Sequence, residues 1–353
     1  MQIRLGYDTY SLRSLGWDAM QHLTFAASQG LDAIQFSSVE DFGDLSPESL
    51  RIVKARAESL GIRIDGGVGC VCELSKNWNP KHGSPQQVLE RGLDVANQVG
   101  AKAMRCVMGS QVDRFGGKPL EPLMDALVRN LKSVRLKALG FGVKIAIENH
   151  KDMQTWQLKE VIDAAGKDFV GANLDFGNPN YLMENPLTAM ETLGPYAVTT
   201  HVRDSAVYEV PAGAAVQWTA LGDGNVDFKA IVARYKELCP DASFQLEIIT
   251  GRTPEVLPYL DRQFWKTFEG MPAADFASFA ALAKSGKPFA GRMVIEDAEG
   301  QPPAPEFHDA LVYQQRYDLE RSFAYAKQVL GIGKQSAEAR LRDSGDNERL
   351  GTA

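Results

Sequence analysis

The stretch "KIAIENHKD", Lys144 to Asp152, runs alternating apolar residues of strand character straight into five polar ones, Glu148, Asn149, His150, Lys151 and Asp152. The apolar part reads as a core strand. Its polar end poses a question: why a buried strand should finish on a carboxylate with an imidazole two positions further on. The neighbouring sequence repeats the pattern. Short apolar runs at 3–7, 31–36, 63–68, 102–108, 144–148, 170–176, 197–202 and 243–248 alternate with amphipathic segments, the beat of strand–helix units in a parallel sheet.

The intervening segments carry helix punctuation. Ser46 and Pro47 open one helix that Gly61 closes, and Ser84 and Pro85 open another that Gly100 closes, each serine capping and each proline in the first turn. The run "EPLMDALVRNLKSVRLKALG" places Leu123, Leu127, Leu131, Val134 and Ala138 on one face and predicts a single long helix. Eight such beats predict an α/β fold, a (β/α)8 TIM barrel, as the catalytic domain over residues 1–264. A doubly wound open sheet fits less well, because no Gly-rich dinucleotide loop follows the first strand. Past that point the rhythm breaks. Residues 265–334, rich in Ala, Gly and Pro before the helix-like run "HDALVYQQRYDLERSFAYAKQVLG", form a C-terminal helical and irregular extension expected to pack on the barrel or on a neighbouring subunit of a homo-oligomer. Residues 335–353 form a polar tail expected to be flexible.

Composition narrows the function. The 353 residues are 44% hydrophobic, enough for a substantial core, and the formal charge of -7 argues against a nucleic-acid partner, whose phosphates are gripped by clustered Lys and Arg. No window approaches the ~18 apolar residues needed to span a bilayer, and the N-terminus lacks a signal-like core, so a cytoplasmic protein with no membrane partner is expected. The four cysteines are too scattered for a disulfide framework, and Cys70 and Cys72 lack the further ligands of a zinc site.

The C-terminal rim of the strands is the functional face of such a barrel. There, consecutive strand ends carry Glu148, Asp175, His201 and Glu247, separated by 27, 26 and 46 residues, the last gap holding the insertion "SAVYEVPAGAAVQWTALGDGNVDF". Any one of them alone has an ordinary explanation, a solvated edge or a hydrogen-bonded core histidine. Four in succession are all metal-ligand types, and three carboxylates buried together would repel without a cation. Three carboxylates and one imidazole make a mostly hard donor set. One divalent metal ion is therefore expected, Mn2+ first and then Mg2+, Co2+ or Zn2+, with open positions suited to catalysis.

The motifs "IAIENH" (145–150), "LDFGNP" (174–179), "HVRDS" (201–205), "LGDGNVDF" (221–228) and "LEI" (246–248) resemble, in order and spacing, the xylose-isomerase-like barrel superfamily of sugar phosphate isomerases and epimerases, ketose 3-epimerases included. The resemblance implies that Glu148, Asp175, His201 and Glu247 are the metal ligands. It also implies that Glu148 and Glu247 exchange a proton with a carbon next to a carbonyl, one from each face of the substrate. Two positions depart from the ketose 3-epimerases, which carry a His three residues after the Asp ligand and a Glu six residues after the first ligand; this chain has Asn178 and Gln154 there. His150 resembles the extra base of relatives that act on 3-oxo-glycosides, and is expected either to serve as a catalytic group or substrate contact or to orient a neighbour at the rim.

The function expected is a divalent-metal-dependent isomerase or epimerase of a small-molecule sugar or keto-sugar, working through an enediolate. A lyase on the same site is the alternative, either a dehydratase of a cyclic polyol ketone or a deglycosidase cleaving 3-oxo-glycosides by β-elimination; a non-catalytic barrel subunit is the other. An abasic-site endonuclease of this superfamily would need more than the five histidines present and a basic groove. Arg203, Trp156, Tyr7 and Arg105 are expected to contact the substrate. Arg203 shares the face of His201 by strand alternation, Arg105 lies within strand four, Tyr7 and with it Asp8 end strand one, and Trp156 follows strand five. Asp204 is expected to orient His201 or Arg203, and "LGDGNVDF" to form a tight turn in which Asp227 caps the next helix.

Overall fold

In the computed structural model, residues 2–334 are described, except 240, 292, 293, 298–300 and 302; the predicted polar tail, 335–353, lies outside the described residues. In chain order the strands are β1 Leu5–Asp8, β2 Ala33–Gln35, β3 Arg63–Cys70, β4 Ala103–Val107, β5 Lys144–Glu148, β6 Val170–Asp175, β7 Ala197–His201, β8 Asp204–Val210, β9 Gly213–Thr219, β10 Phe244–Leu246 and β11 Glu255–Leu257. The helices are α1 Ala19–Ser28, α2 Pro47–Leu60, α3 Pro85–Val99, α4 Gln111–Arg114, α5 Glu121–Ser133, α6 Arg135–Phe141, α7 Thr155–Ala165, α8 Pro186–Leu193, α9 Phe228–Leu238, α10 Ala273–Ser285 and α11 His308–Gln328.

Each of the eight predicted strands is present. They form one parallel sheet in the order β10-β1-β2-β3-β4-β5-β6-β7. The ring closes between β7 and β10 through a parallel bridge of Val202 to Leu246, with Val202 N donating to Gln245 O over 2.8 Å and Glu247 N to Val202 O over 3.0 Å. The protein is a (β/α)8 TIM barrel.

Alternation along the strands decides what each side chain sees. Ile145 and Ile147 of β5, Leu174 of β6, Leu246 of β10 and Tyr7 of β1 all join the apolar core under the helices. Their neighbours of opposite parity fill the barrel's interior with polar side chains. Thr199 Oγ1 donates to Asp65 Oδ2 (3.1 Å) and lies 2.9 Å from the Gln35 amide, and Gln245 Nε2 donates to the same Asp65 oxygen (3.2 Å). Glu148, Asp175 and His201 follow this inward parity at the top of β5, β6 and β7, and Glu247 follows it one residue past β10.

Two elements differ from the sequence reading. The predicted single long helix is broken into α5 and α6 at Val134, whose φ of -109° and ψ of 9° leave the helical region while its side chain stays buried. The insertion between the last two barrel strands is the hairpin β8–β9, extended by β11 into a three-stranded antiparallel sheet over the rim. Helix α10 packs against that hairpin through Phe279 and Ala283, in a second apolar cluster with Tyr181, Trp218 and Ile249. Helix α11 packs along the turn Thr9–Leu15 and sends Leu319, Phe323 and Ala326 into the main core. Among the described residues, no helix is long and apolar enough to cross a membrane.

Candidate metal centre

Glu148, Asp175, His201 and Glu247 each offer one ligand atom, and those atoms all lie within 4.8 Å of one another. His201 Nδ1 is 3.2 Å from Glu247 Oε2, 3.5 Å from Glu148 Oε2 and 3.9 Å from Asp175 Oδ2. All four side chains are buried.

The residues that follow Glu148 in the opening stretch build this geometry. Asn149 clamps the end of β6 from both sides: its Nδ2 donates to Asp175 O and its Oδ1 accepts from Asp175 N, each over 2.9 Å. His150 Nδ1 meets Gly109 O at 2.8 Å, which fixes the imidazole as a donor there and leaves Nε2 available to a ligand. Asp152 accepts from Gly109 N (2.8 Å) and Met153 N (2.6 Å), tying the ends of β4 and β5 together. Lys151 takes a left-handed φ of 60°, which turns its side chain toward the rings of Tyr181 and Trp218. In "LDFGNP", Asp175 Oδ1 accepts from Gly177 N (2.7 Å) and Asn178 N (2.6 Å). Gly177 has to be a glycine, because a Cβ there would sit 2.5 Å from Arg203 Nε.

Two guanidiniums share the cluster's charge. Arg105 pairs with Glu148 Oε2 at 2.6 Å, and Arg203 reaches Asp175 Oδ2 at 2.5 Å and also pairs with Glu247 Oε2. Burial alone would raise the Glu148 carboxyl, but Arg105, His201 and His150 outweigh it and hold it well below the ordinary carboxylate range. Glu247 likewise resists burial, pulled down to about 2 by His201 and Arg203. Asp175 goes the other way. Burial, with the repulsion of Glu148 and Glu247 added, raises it to about 6 despite Arg203.

The residues fit a divalent cation on three counts. His201 Nδ1 is buried among three carboxylates with no hydrogen-bond partner. Asp8 Oδ2, also without one, lies 3.3 Å from His201 Nε2, so a proton on Nε2 would face a carboxylate and leave the Nδ1 lone pair to a metal, the usual carboxylate–histidine support. Turning the Gln35 amide end for end gives that N–H a second acceptor at 2.6 Å. Finally, the four carboxylates Asp8, Glu148, Asp175 and Glu247 face only two guanidiniums, Arg105 and Arg203, leaving two negative charges for one divalent ion.

A cleft of about 610 Å³ opens beside the cluster, lined among others by Arg105, His150, Lys151, Arg203, Trp218, Glu247 and Arg252. Of the sequence-expected substrate contacts, Arg105 and Arg203 face it. Tyr7 does not: strand parity turns it outward under α1, where its hydroxyl meets His22 Nδ1 at 2.8 Å. Trp156 does not line the cleft either; it opens α7 and donates to Gln154 Oε1 at 3.2 Å. Asp204 holds neither His201 nor Arg203. It accepts from Ser205, Gly222 and Val226 N and so pins the "LGDGNVDF" turn, in which Asp227 caps α9 as expected. Asn178 is the bridge at the position of departure, donating to Glu148 Oε1 (3.1 Å) and accepting from Arg203 (3.2 Å). Gln35, Lys151, Trp218 and Arg252 were not singled out as site contacts by sequence; parity with Glu148 and Asp175 is the signal that finds Gln35, and it separates Asp8, which faces His201, from its neighbour Tyr7, which does not.

The barrel with this rim defines a class. The chain belongs to the xylose isomerase-like TIM barrel family, whose model matches residues 23–263. YihM of Escherichia coli (strain K12) is 22% identical over 149 residues, 42% of this chain and 44% of that protein, so the match spans less than half of the curated relative. Among solved structures, a D-psicose 3-epimerase determined in the presence of D-fructose superposes with a TM-score of 0.61 at 15% identity, over 93% of this chain and 100% of that one. The IolI protein with a bound zinc atom gives 0.56 at 14% identity, over 80% of this chain and 95% of that one. At such identities the likeness is one of fold, and the neighbours of this fold are mostly enzymes.

Proposed function

We propose that this protein is a divalent-metal-dependent isomerase or epimerase of a sugar or keto-sugar, moving a proton on a carbon next to a carbonyl. The observation that carries the reading is His201 Nδ1, buried without a hydrogen-bond partner among three carboxylates beside an open cleft. The D-psicose 3-epimerase and the zinc of the IolI protein support it as analogies of fold.

A divalent cation bound there, Mn2+ first on donor chemistry and Mg2+, Co2+ or Zn2+ after it, supplies the positive charge that stabilises the enediolate left when the proton departs. The proton itself is handled by side chains. Glu247 lines the cleft, and Arg203 keeps its carboxylate ionised. With His201 neutral, as a ligand must be, one of the two charges that lower Glu247 is removed and its basicity rises. Glu148, expected to share the transfer, has one oxygen on Arg105 and the other on Asn178 and does not line the cleft, so we assign it to ligation. The second proton-handling position falls to His150, which lines the cleft with its tautomer set by Gly109 O. Arg105 and Arg203 orient substrate oxygens.

The same pair favours one further reading. A base and an acid on one cleft also serve elimination, Glu247 taking the α-proton and His150, entering as the imidazolium with its Nδ1–H kept on Gly109 O, giving its Nε2 proton to the departing group. Incubation of metal-loaded protein with keto-sugars and 3-oxo-glycosides in D2O separates the outcomes. Deuterium at a carbinol carbon without loss of a group is expected for epimerisation; release of water or aglycone assigns the site to a lyase. Purified protein that holds less than a few tenths of an equivalent of Mn, Mg, Co and Zn under non-chelating conditions sinks both.

A further inference from the structure

We propose that the ligand of this cleft is an acidic keto-sugar, a monoanion whose carboxylate docks on Arg252 and Lys151. The inference rests on the enolisation reading for which end of the ligand reacts, and adds what holds the other end.

The chain carries a net charge of -7, yet the basic residues lining the cleft are Arg105, His150, Lys151, Arg203 and Arg252, against the acidic Glu247 and Glu255. Arg105 and Arg203 are matched to the carboxylates of the cluster. That leaves Lys151, Arg252 and Glu255 outside it, with one positive charge unmatched. Lys151 is held in place rather than solvated: its Nζ lies 4.2 Å from the Tyr181 ring centre, 4.5 Å from that of Trp218 and 3.4 Å from Glu255 Oε1. The backbone accepts a left-handed φ of 60° at a residue with a long side chain to put it there. Arg252 has no carboxylate within ion-pair distance among the described residues, and its Nε is buried without a hydrogen-bond partner. Its main chain is fixed, since Arg252 O accepts from Gln217 Nε2 at 2.9 Å.

A neutral ketose would leave the buried Nε of Arg252 unmatched, which is costly, whereas the planar fork of a guanidinium fits a carboxylate with two parallel hydrogen bonds. A phosphate dianion would exceed the single unmatched charge. The cleft volume of about 610 Å³ accommodates a hexose derivative with its carboxylate extended.

The test uses three ketohexoses that differ at C6 alone: D-fructose, D-fructuronate and D-fructose 6-phosphate. Each is titrated by calorimetry into full-length, Mn2+-loaded protein. D-Fructuronate is expected to bind at least about tenfold more tightly than D-fructose. That gap should collapse in Arg252→Gln, whose metal content and melting temperature serve as fold controls, and should narrow at ~1 M ionic strength, where screening reaches ~3 Å. Equal affinity for D-fructose and D-fructuronate overturns the proposal, as does a gap that survives Arg252→Gln or failure of all three to bind. Tightest binding of D-fructose 6-phosphate overturns the choice of a carboxylate in favour of a phosphate. Binding is read without turnover, so a protein that selects D-fructuronate but exchanges no carbon-bound proton keeps this subsite and loses the enolisation reading.

Discussion

Glu148 and Glu247 at the rim, and Glu184 and Asp204 elsewhere, are all buried carboxyls, yet they titrate in opposite directions. The rim pair lies beside Arg105, Arg203 and His201, and both carboxyls sit below the ordinary range. Among the described residues Glu184 accepts from Thr155 N and Oγ1, with Arg114 contributing least, and Asp204 accepts from backbone N–H groups; burial pushes each up to about 7. Neutral donors therefore do not offset desolvation here, whereas full positive charges do. Asp175 stands between the two cases. It has Arg203, but the repulsion of two glutamates and its own burial raise it to about 6, the signature of a cluster one cation short. Ionised carboxylates at the rim are thus kept by partners that the isolated pair lacks, and the comparison can be broken from either side.

The largest effect is expected from Glu247→Gln, which removes charge and basicity with almost no change in volume. Deuterium exchange into substrate should fall by about 10²–10⁴-fold, with circular dichroism and melting temperature unchanged. Exchange at the wild-type rate would remove Glu247 from the mechanism. Next comes Arg203→Met, which strips the counter-charge from Asp175 and Glu247 at once. Leaving buried carboxylates unpaired should cost about 3–5 kcal/mol in urea denaturation with chelator present, and Mn2+ should restore part of it. An equal loss with and without metal would mean that the guanidinium and the cation do not share those carboxylates.

Glu184→Gln tests the other half of the comparison. An unfolded glutamate titrates near 4.5 and folded Glu184 near about 7, so the folded state binds this proton more tightly than the unfolded chain. That contribution to stability is complete below pH 4.5 and is lost as pH rises through about 7. Above pH ~8 the wild type therefore carries a penalty of about 3 kcal/mol that the glutamine variant avoids, while the two should match at pH ~4, where the wild-type carboxyl is protonated. Denaturation curves that stay parallel across that range would remove the contrast with the rim.

The barrel and its four-residue cluster were legible because both rest on local pattern. Eight apolar runs with period-two alternation announce the strands, and only metal-ligand types end four of them in succession. What was missed depends on parity or on distant pairing. Tyr7 and Asp8 are adjacent in sequence, so they point to opposite sides of β1; the aromatic residue went under α1 and the carboxylate into the barrel. The β8–β9 hairpin finds its third strand in β11, which lies beyond the last barrel strand, so no window of sequence contains the sheet. Lys151 and Arg252 reach the cleft from irregular backbone after β5 and β10, where no periodicity fixes a direction. Trp156 lies off the cleft lining because it sits at the start of α7, bonded to Gln154, rather than at a strand end.

Asp8 gives the smallest effect and the sharpest reading of the metal's support. Its Oδ1 already accepts from Tyr10 N at 2.8 Å and from Ser37 Oγ, so that position has to remain an oxygen. In Asp8→Asn the amide nitrogen is consequently turned toward His201 Nε2, where the carboxylate oxygen sat at 3.3 Å. A donor then faces the ring nitrogen that must itself be a donor if Nδ1 is to ligate. The imidazole is driven to the other tautomer, with its proton on the atom that the metal needs. Affinity for Mn2+, measured by calorimetry, should drop by about 10–100-fold while the melting temperature of the metal-free protein moves little. Unchanged affinity would show that Gln35 alone sets the tautomer, and would take Asp8 out of the proposed metal site while leaving the four-residue cluster in place.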